Sequence, residues 1–399
     1  MPKEFTAQEW KKIRSEMDNS PAKYGLPARI DGSAVVASFN IRKLGKIREA
    51  GGDSGRNDTT MKFLRDVCKR FDLLAIQEVM ADMSAVRRLK ELMGKKYGLV
   101  VSDTTGTFPG ESGNTERMAY IYNKDVVERA EMVTDLSFDR TEVLRRLYGS
   151  RIKITKALDT YDAKLKAGKK AKIKMPEFLA FIRTPFAVAF RIGSYDFIAI
   201  NAHLHFGDYV NDRRLEGKAL MEWIVGKVRA TESLNAVLFG DLNLDFDKPK
   251  NDLKRIVGVA KELRDKGKSN EEQVRVSFPF LFPHPKPGQP VPQDSKIFRT
   301  NVLLTETYDQ IAIFSQDERL GKRLETSHTG HANKAAWRST KKGPDYGVFN
   351  FTELFSKALT GKTYDTLKKG DKEAAEELIK KFDFNVSDHM PIWMRVPLP

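Results

Sequence analysis

The sequence predicts an α/β fold in which two β-sheets pack face to face with helices outside, and three observations carry that expectation. Short apolar, β-branched runs alternate with helix-periodic segments along the chain, as where Val35-Val36-Ala37-Ser38-Phe39 is followed by Met61 to Arg70. The connections after Tyr122 and after Arg191 are too short for a crossover helix, so neighbouring strands there are expected to be antiparallel. The strand candidates are also apolar enough to need cover, which two packed sheets flanked by helices provide.

The elements follow in order. Phe5 to Trp10 reads as a helix start, with Thr6 and Glu9 at capping-box spacing and Phe5 and Trp10 at staple spacing. After the first strand comes a glycine-rich polar loop, Gly45 to Thr60, then the helix Met61 to Arg70 and a strand at Leu73-Leu74-Ala75-Ile76. Met83 to Met93 is amphipathic and helical. Met118 to Tyr122, Phe186 to Arg191 and Phe197 to Asn201 read as strands. Arg213 to Arg229 is a helix with Leu215, Leu220, Trp223 and Ile224 on its apolar side, and Ala236 to Phe239 is a strand ended by Gly240. Ile311 to Phe314 and Ile392 to Val396 are the late strands.

Residues 1–30 are expected to form an N-terminal helical extension and 31–399 one catalytic domain with insertions at about 135–180, 264–299 and 317–382. In the first insertion Leu144, Leu147, Ile154, Leu158, Tyr161 and Leu165 recur at helical steps, broken by Arg151, which predicts a helix or helical pair. From Arg151 to Lys174 it is dominated by Lys and Arg, including Lys169, Lys170, Lys172 and Lys174, against only Asp159 and Asp162. This is either a solvated helix face or an arm that tracks phosphates. The second insertion is proline-rich from Pro279 to Pro292 and reads as a loop; the third holds further Lys-rich helices.

The formal charge of +15, from 69 Lys+Arg against 54 Asp+Glu, favours a polyanionic partner, nucleic acid first and an anionic membrane surface second. The lone Cys68 excludes an intrachain disulfide, which fits a reducing compartment and a cytoplasmic location. The N-terminal residues are polar, without the apolar stretch of a signal peptide, and no apolar run is long enough to span a bilayer.

Six β-type runs end in a carboxylate, amide or imidazole: Ser38 to Arg42, Ile76-Gln77-Glu78-Val79, Asn201-Ala202-His203, Gly240-Asp241-Leu242-Asn243, Tyr308-Asp309-Gln310-Ile311 and Ser387-Asp388-His389. Each alone is commonplace. Together they suit hydrolysis of a phosphate ester. Mg²⁺ takes oxygen ligands and keeps waters, so Glu78, with Asn40 and Asp388 directly or through water, suffices for a site. Asp241 is a candidate base for an attacking water, with Asn243 on the same side of the turn. His203, His389 and Asn243 are candidates to stabilise the phosphorane. A histidine kept cationic or in one tautomer needs a carboxylate behind it, for which Glu116 and Asp309 are available.

In this order the motifs resemble the endonuclease/exonuclease/phosphatase superfamily, and within it the deoxyribonuclease I-like branch. The resemblance is dispersed over residues 35 to 396, with the three insertions unmatched. Ser38 to Arg42 resembles the family's opening Phe-Asn-Ile-Arg, Gln77-Glu78-Val79 its metal glutamate, and Thr115 to Met118 the Lys-Glu-Arg-Tyr segment whose glutamate supports a histidine. Phe181 to Pro185 resembles the segment whose arginine contacts DNA, here Arg183; His203, Asp241, Asn243, Asp309, Asp388 and His389 fall on the remaining positions. The family's stacking tyrosine is Asn114 here, and its secreted members' disulfides are missing. The resemblance implies a four-layer α/β sandwich of two mixed sheets between helices, and Mg²⁺-dependent hydrolysis of phosphodiesters, with Mn²⁺ as substitute and Ca²⁺ as a structural alternative. It implies DNA as the favoured partner, contacted by Arg42, Arg183 and Asn243; the lysines of the unmatched first insertion, Lys169, Lys170, Lys172 and Lys174, are expected to extend that footprint on their charge alone.

A phosphoinositide phosphatase or a sphingomyelinase-type phospholipase on the same scaffold is the alternative; it predicts an exposed apolar loop, for which Phe278, Phe280, Leu281 and Phe282 are the candidates. His328-Thr329-Gly330-His331 lacks a second ligand pair for zinc and reads as a surface loop. Lys266-Gly267-Lys268-Ser269 lacks the upstream glycine of a phosphate loop.

Overall fold

The computed structural model describes residues 4–48, 55–105, 115–169, 180–206, 210–230, 235–244, 252, 274–280, 299–317 and 346–397. Two six-stranded sheets form the centre. In the first, β1 (Ser33–Leu44) lies between β2 (Leu73–Met80) and β12 (Ile392–Pro397), with β4 (Glu116–Asn123) and β3 (Tyr97–Val101) beyond β2 and β11 (Tyr346–Val348) beyond β12. The second runs β5 (Val127–Asp135), β6 (Phe186–Ile192), β7 (Tyr195–His203), β8 (Asn235–Asp241), β10 (Asp309–Ser315), β9 (Arg275–Ser277). Both are mixed: β1 with β2 and β7 with β8 are parallel, and the other pairs are antiparallel.

The sheets face each other across an aromatic core. Tyr120 of β4 meets Phe186 and Phe190 of β6 and Phe239 of β8 at ring distances of 5.4–6.4 Å. The first sheet is covered by α1 (Ala7–Asn19), α2 (Asp58–Cys68), α3 (Ser84–Met93), α6 (Phe351–Thr360), α7 (Tyr364–Gly370) and α8 (Lys372–Asn385), whose Trp10, Phe63, Phe355 and Phe382 interlock in one buried cluster. The second is covered by α5 (Val210–Ala230) through Leu220, Ile224 and Val228. The result is the expected four-layer sandwich. Thr6 caps α1 in a full capping box with Glu9, and Phe5 packs edge-on against Trp10 at 5.1 Å, so the N-terminal helix is seated on the sandwich.

Some expectations change. The strands on either side of the short link after Tyr122 are not neighbours: β4 and β5 belong to different sheets, and the link carries the chain from one to the other. Its counterpart after Arg191 does join an antiparallel pair, β6 and β7. Among the described residues the first insertion forms the helix α4 (Arg140–Lys166), the single-helix form of the expectation, with Leu144, Leu158 and Leu165 of its apolar stripe open to solvent. Residues 346–385, which include the described end of the third insertion, supply β11 and the helices α6, α7 and α8 to the core of the first sheet. Lys170, Lys172, Lys174, Asn114, His328, His331 and the Lys266–Ser269 stretch lie outside the described residues. Among the described residues, no helix is long and apolar enough to cross a membrane.

Candidate active site

Strand register alone brings three of the expected residues into line. In the second sheet His203 of β7 is paired with Asp241 of β8, and Asp241 with Asp309 of β10. Close pairing of β7 and β8 demands glycine before the aspartate: a Cβ on Gly240, at φ +142°, would lie 1.8 Å from the Ala202 carbonyl oxygen. Asn243 takes the left-handed conformation at φ +49°, its amide N–H donating to Asp241 Oδ1 at 3.0 Å and its side-chain amide to the Leu204 carbonyl at 3.0 Å. That local turn fixes Asp241 with its other oxygen, Oδ2, facing the first sheet, where Asn40 Nδ2 donates to it at 3.1 Å.

Two imidazoles flank that oxygen. His203 Nε2 lies 3.7 Å and His389 Nε2 3.6 Å from Asp241 Oδ2. Each ring has its own carboxylate behind it. His389 Nδ1 is 2.8 Å from Asp309 Oδ2, a hydrogen bond buried at the aspartate end. His203 Nδ1 is 3.0 Å from Glu116 Oε2, an ion-pair distance at an angle bent away from an ideal hydrogen bond. Arg183 closes the same carboxylate from the other side, Nε at 2.7 Å and a terminal nitrogen donating at 3.2 Å. Burial pushes the Glu116 carboxyl up, but His203 and Arg183 outweigh it and hold it below the ordinary range. For His389 burial disfavours the cation, yet Asp309, Asp241 and Asp388 together raise it well above a free imidazole.

The other carboxylates stand at the ends of the first sheet. Glu78 sits in a left-handed kink of β2, φ +60°, where the ladder to β4 slips between Ile76 and Val79. The kink turns its side chain back to accept from the Lys43 amide at 3.0 Å. Burial raises the Asp388 carboxyl, and the nearby charge of Glu78 adds to this. Asn40 Oδ1 is buried without a hydrogen-bond partner although its amide nitrogen has one. The orphaned Asn40 oxygen and the carboxylates of Glu78 and Asp388 are oxygen donors of the kind a divalent cation takes.

The expected substrate-contacting residues are disposed differently. Arg42 is bound to Asp383 and lies 3.9 Å from Asp388. Arg183 is buried, its donors turned to Glu116 and to the Leu204 carbonyl, so it stands behind His203 rather than at the surface. Lys169 is exposed just beyond the end of α4.

Three supports were not singled out by the sequence. Ser387 Oγ donates to the Asn40 carbonyl at 2.7 Å and accepts from the amides of Arg42 and His389 at 3.1 and 3.2 Å, tying β1 to the loop that carries Asp388 and His389. Gln77 Nε2 donates to Asn201 Oδ1 at 2.6 Å, and Asn201 Nδ2 donates to the carbonyls of Ile76 and Ala119, stitching the two sheets together under the site. Arg56 donates to the carbonyls of Asn385, at 2.8 Å, Val386, at 2.9 Å, and Arg42. Ser387, Gln77 and Asn201 lie within the motifs quoted above, and that membership, with no role attached, was their only signal. Arg56 lies in a polar loop with none.

A family model described as the Endonuclease/Exonuclease/phosphatase family matches residues 37–338. No curated protein matches the chain. Similar solved structures include TDP2 from Caenorhabditis elegans, 14% identical with a TM-score of 0.44, covering 95% of this chain and 79% of that one. A mannosyl-6-phosphatase from Bacteroides thetaiotaomicron is 15% identical with a TM-score of 0.40, covering 70% of this chain and 85% of that one. An endonuclease/exonuclease/phosphatase from Bacteroides vulgatus is 13% identical with a TM-score of 0.42, covering 91% and 98%.

Proposed function

Because the chain belongs to the Endonuclease/Exonuclease/phosphatase family, we propose that it is a divalent-metal-dependent phosphodiesterase, and specifically an endonuclease that cuts DNA with little regard to sequence. One observation carries this reading: two imidazoles, each backed by its own carboxylate, converge within 3.7 Å of a single buried aspartate oxygen. Hydrolysis of a diester needs a water oriented and deprotonated on one side and donors for the phosphoryl oxygens around it. Asp241 Oδ2 is the base in this reading. His203 and His389 present Nε2 to the phosphoryl oxygens, held in that orientation by Glu116 and Asp309. His389, with its raised proton affinity, meets the developing negative charge as a cation. Glu78, Asn40 and Asp388 would hold a divalent cation, Mg²⁺ first, which would supply Lewis-acid polarisation of a phosphoryl oxygen.

The net charge of +15 supports a polyanion as substrate. The lipid-directed alternative loses part of its basis: Phe278 and Phe280 are buried, packed on Phe314 and Tyr346, while Leu281 and Phe282 lie outside the described residues. A cytoplasmic location belongs to this proposal and rests on the lone, buried Cys68.

Incubation with supercoiled plasmid, single-stranded DNA, RNA and phosphoinositide vesicles, each with Mg²⁺ and with chelator, tests it. Plasmid nicking that requires the metal is expected. Phosphate release from phosphoinositide without nicking would replace the reading by its lipid-directed alternative.

A further inference from the structure

Apolar side chains that the proposed chemistry does not use stand beside the reaction centre. Outside α4 and the edge strand β5, the large apolar side chains exposed among the described residues are Ile182, Phe206, Leu303 and Phe384. The first three lie on loops bonded to the two histidine segments. In the second sheet β7 and β10 flank β8, β7 parallel and β10 antiparallel to it. The end of β7 and the start of β10 therefore lie at the same end of the sheet, on either side of Asp241 and about 10 Å apart, two strand spacings. Phe206, 63% exposed, is three residues past His203, so its Cα lies within about 11 Å of the histidine's even on a fully extended chain. Leu303, 53% exposed, is on the loop leading into β10, where the Val302 amide donates to the Asp388 carbonyl at 2.9 Å and Asn301 is bridged to His389. An aromatic ring thus stands on the His203 side of the centre and a leucine on the His389 side.

Both prominences are firmly held. Glu216 of α5 is buried and accepts from the Ile182 amide at 2.9 Å with one oxygen and from the His205 amide at 2.7 Å with the other. One carboxylate so fixes the segment carrying Phe206 against the segment carrying Ile182, which is 41% exposed and precedes Arg183. On the other side Asn301 Oδ1 accepts from the amides of Thr305 and Glu306 at 2.8 and 2.9 Å, and Thr352 of α6 donates to the Val302 carbonyl at 2.9 Å. Leu304 takes the left-handed conformation at φ +57°. Val302 is buried and Leu304 packs on the core, while Leu303 between them is left in solvent. Apolar surface held in water is unfavourable, and a ligand that covers it gains the difference.

A strand attacked at Asp241 continues as a nucleoside on each side of the scissile phosphate, which brings bases to both prominences. An aromatic ring stacks on any base, because every base has a π-face, and this suits cleavage with little regard to sequence. It needs a base whose face is open, and in an intact duplex both faces are covered by neighbouring pairs. We propose that Phe206 with Ile182 on one side, and Leu303 on the other, seat the unstacked bases that flank the scissile phosphate, so that single-stranded or locally unpaired DNA is the preferred substrate. The inference rests on the nuclease reading and adds a strand preference to it. Supercoiled plasmid, which torsion helps to open locally, remains a substrate.

The test follows cutting by the full chain in Mg²⁺ on four substrates of one sequence: a single strand, its paired duplex, the duplex with a central mismatched bubble, and the single strand with abasic tetrahydrofuran residues on both sides of one phosphate. Wild type should cut the single strand and the bubble at least about tenfold faster than the paired duplex, which must first be unstacked. Phe206→Ala should lower kcat/KM on the single strand about fivefold or more, because one base no longer stacks, and Phe206→Tyr should restore it. Leu303→Ala should lower it by a smaller factor. At the abasic phosphate, read on a sequencing gel, wild type should lose its advantage over Phe206→Ala. Paired duplex cut as fast as single strand, Phe206→Ala as fast as wild type on the single strand, or a Phe206→Ala loss undiminished at the abasic phosphate would overturn the base seat and leave the nuclease reading standing. A wild type that cuts no polynucleotide would overturn both. Phosphate release from phosphoinositide vesicles, slowed by the same substitutions, would then assign the two prominences to a lipid surface.

Discussion

Glu116→Gln keeps the shape of a side chain that serves two cationic partners and removes its charge. The carboxylate is 13% exposed and Arg183 9%, and the shortest approach is 2.7 Å. At an effective dielectric constant of about 20, charges about 3 Å apart attract by roughly 5 kcal/mol before desolvation is counted. Removing one member of a buried pair costs about 3–5 kcal/mol in practice, because the other charge is left behind. The glutamine oxygen can still accept from Arg183, so a decrease of about 3 kcal/mol in unfolding free energy is expected, read by urea denaturation. Turnover should suffer separately. His203 loses the carboxylate that orients its ring, and kcat on an oligonucleotide with Mg²⁺ should fall about 10²-fold. If Glu116 acts through His203, the combination of Glu116→Gln with His203→Ala should be scarcely slower than His203→Ala alone. Losses that multiply in full, or a Glu116→Gln enzyme with wild-type turnover, would refute the pairing.

Glu78→Gln retains size and hydrogen bonding but loses ligand charge, and hydrolysis should fall at least about 10²-fold with an unchanged circular dichroism spectrum; near-wild-type turnover would remove Glu78 from the site. His389 binds its proton more tightly folded than unfolded, so it contributes stability that is complete below an ordinary imidazole pKa of about 6.5 and is lost as pH rises through the raised folded-state value. The stability advantage of wild type over His389→Gln, measured in chelator, should therefore shrink as pH increases from about 6, and a constant difference up to about pH 9 would contradict this. Gly240→Ala forces a Cβ into the Ala202 carbonyl and should cost at least about 3 kcal/mol; an unchanged urea midpoint would show that the two strands separate more easily than their register suggests.

The sandwich was legible because its central strands are buried on both faces and so read as uninterrupted apolar runs, as Val35 to Phe39 and Ala236 to Phe239 do. The edge strands were not legible, for the converse reason. In β5, Glu128, Arg129 and Glu131 point charge at solvent, protecting an open edge, and only Val127 is fully buried. β9 and β11 are three residues long and carry no period to detect. The sheet change after Tyr122 depends on which face the next strand covers, and link length is blind to that. At the candidate site, the residues carrying charge stood out because they stand at strand ends, and strand register then aligns His203, Asp241 and Asp309. The buried scaffolding did not stand out: Arg56 acts on main-chain carbonyls 329 and 330 residues away along the chain, and nothing in its neighbours announces that reach.

Nicking of supercoiled plasmid by wild type and by Asp241→Asn, each in Mg²⁺ and in chelator, tests most directly whether one metal-dependent site centred on Asp241 cuts phosphodiester bonds. The substitution keeps the size of the side chain and one oxygen to accept from the Asn243 amide, and replaces the oxygen that faces Asn40 and the imidazoles by an amide nitrogen that cannot act as a base. Nicking by wild type in Mg²⁺ alone, with the variant slower by about 10²-fold or more, is the predicted result. Comparable nicking by Asp241→Asn, or nicking by wild type that survives chelation, would contradict it.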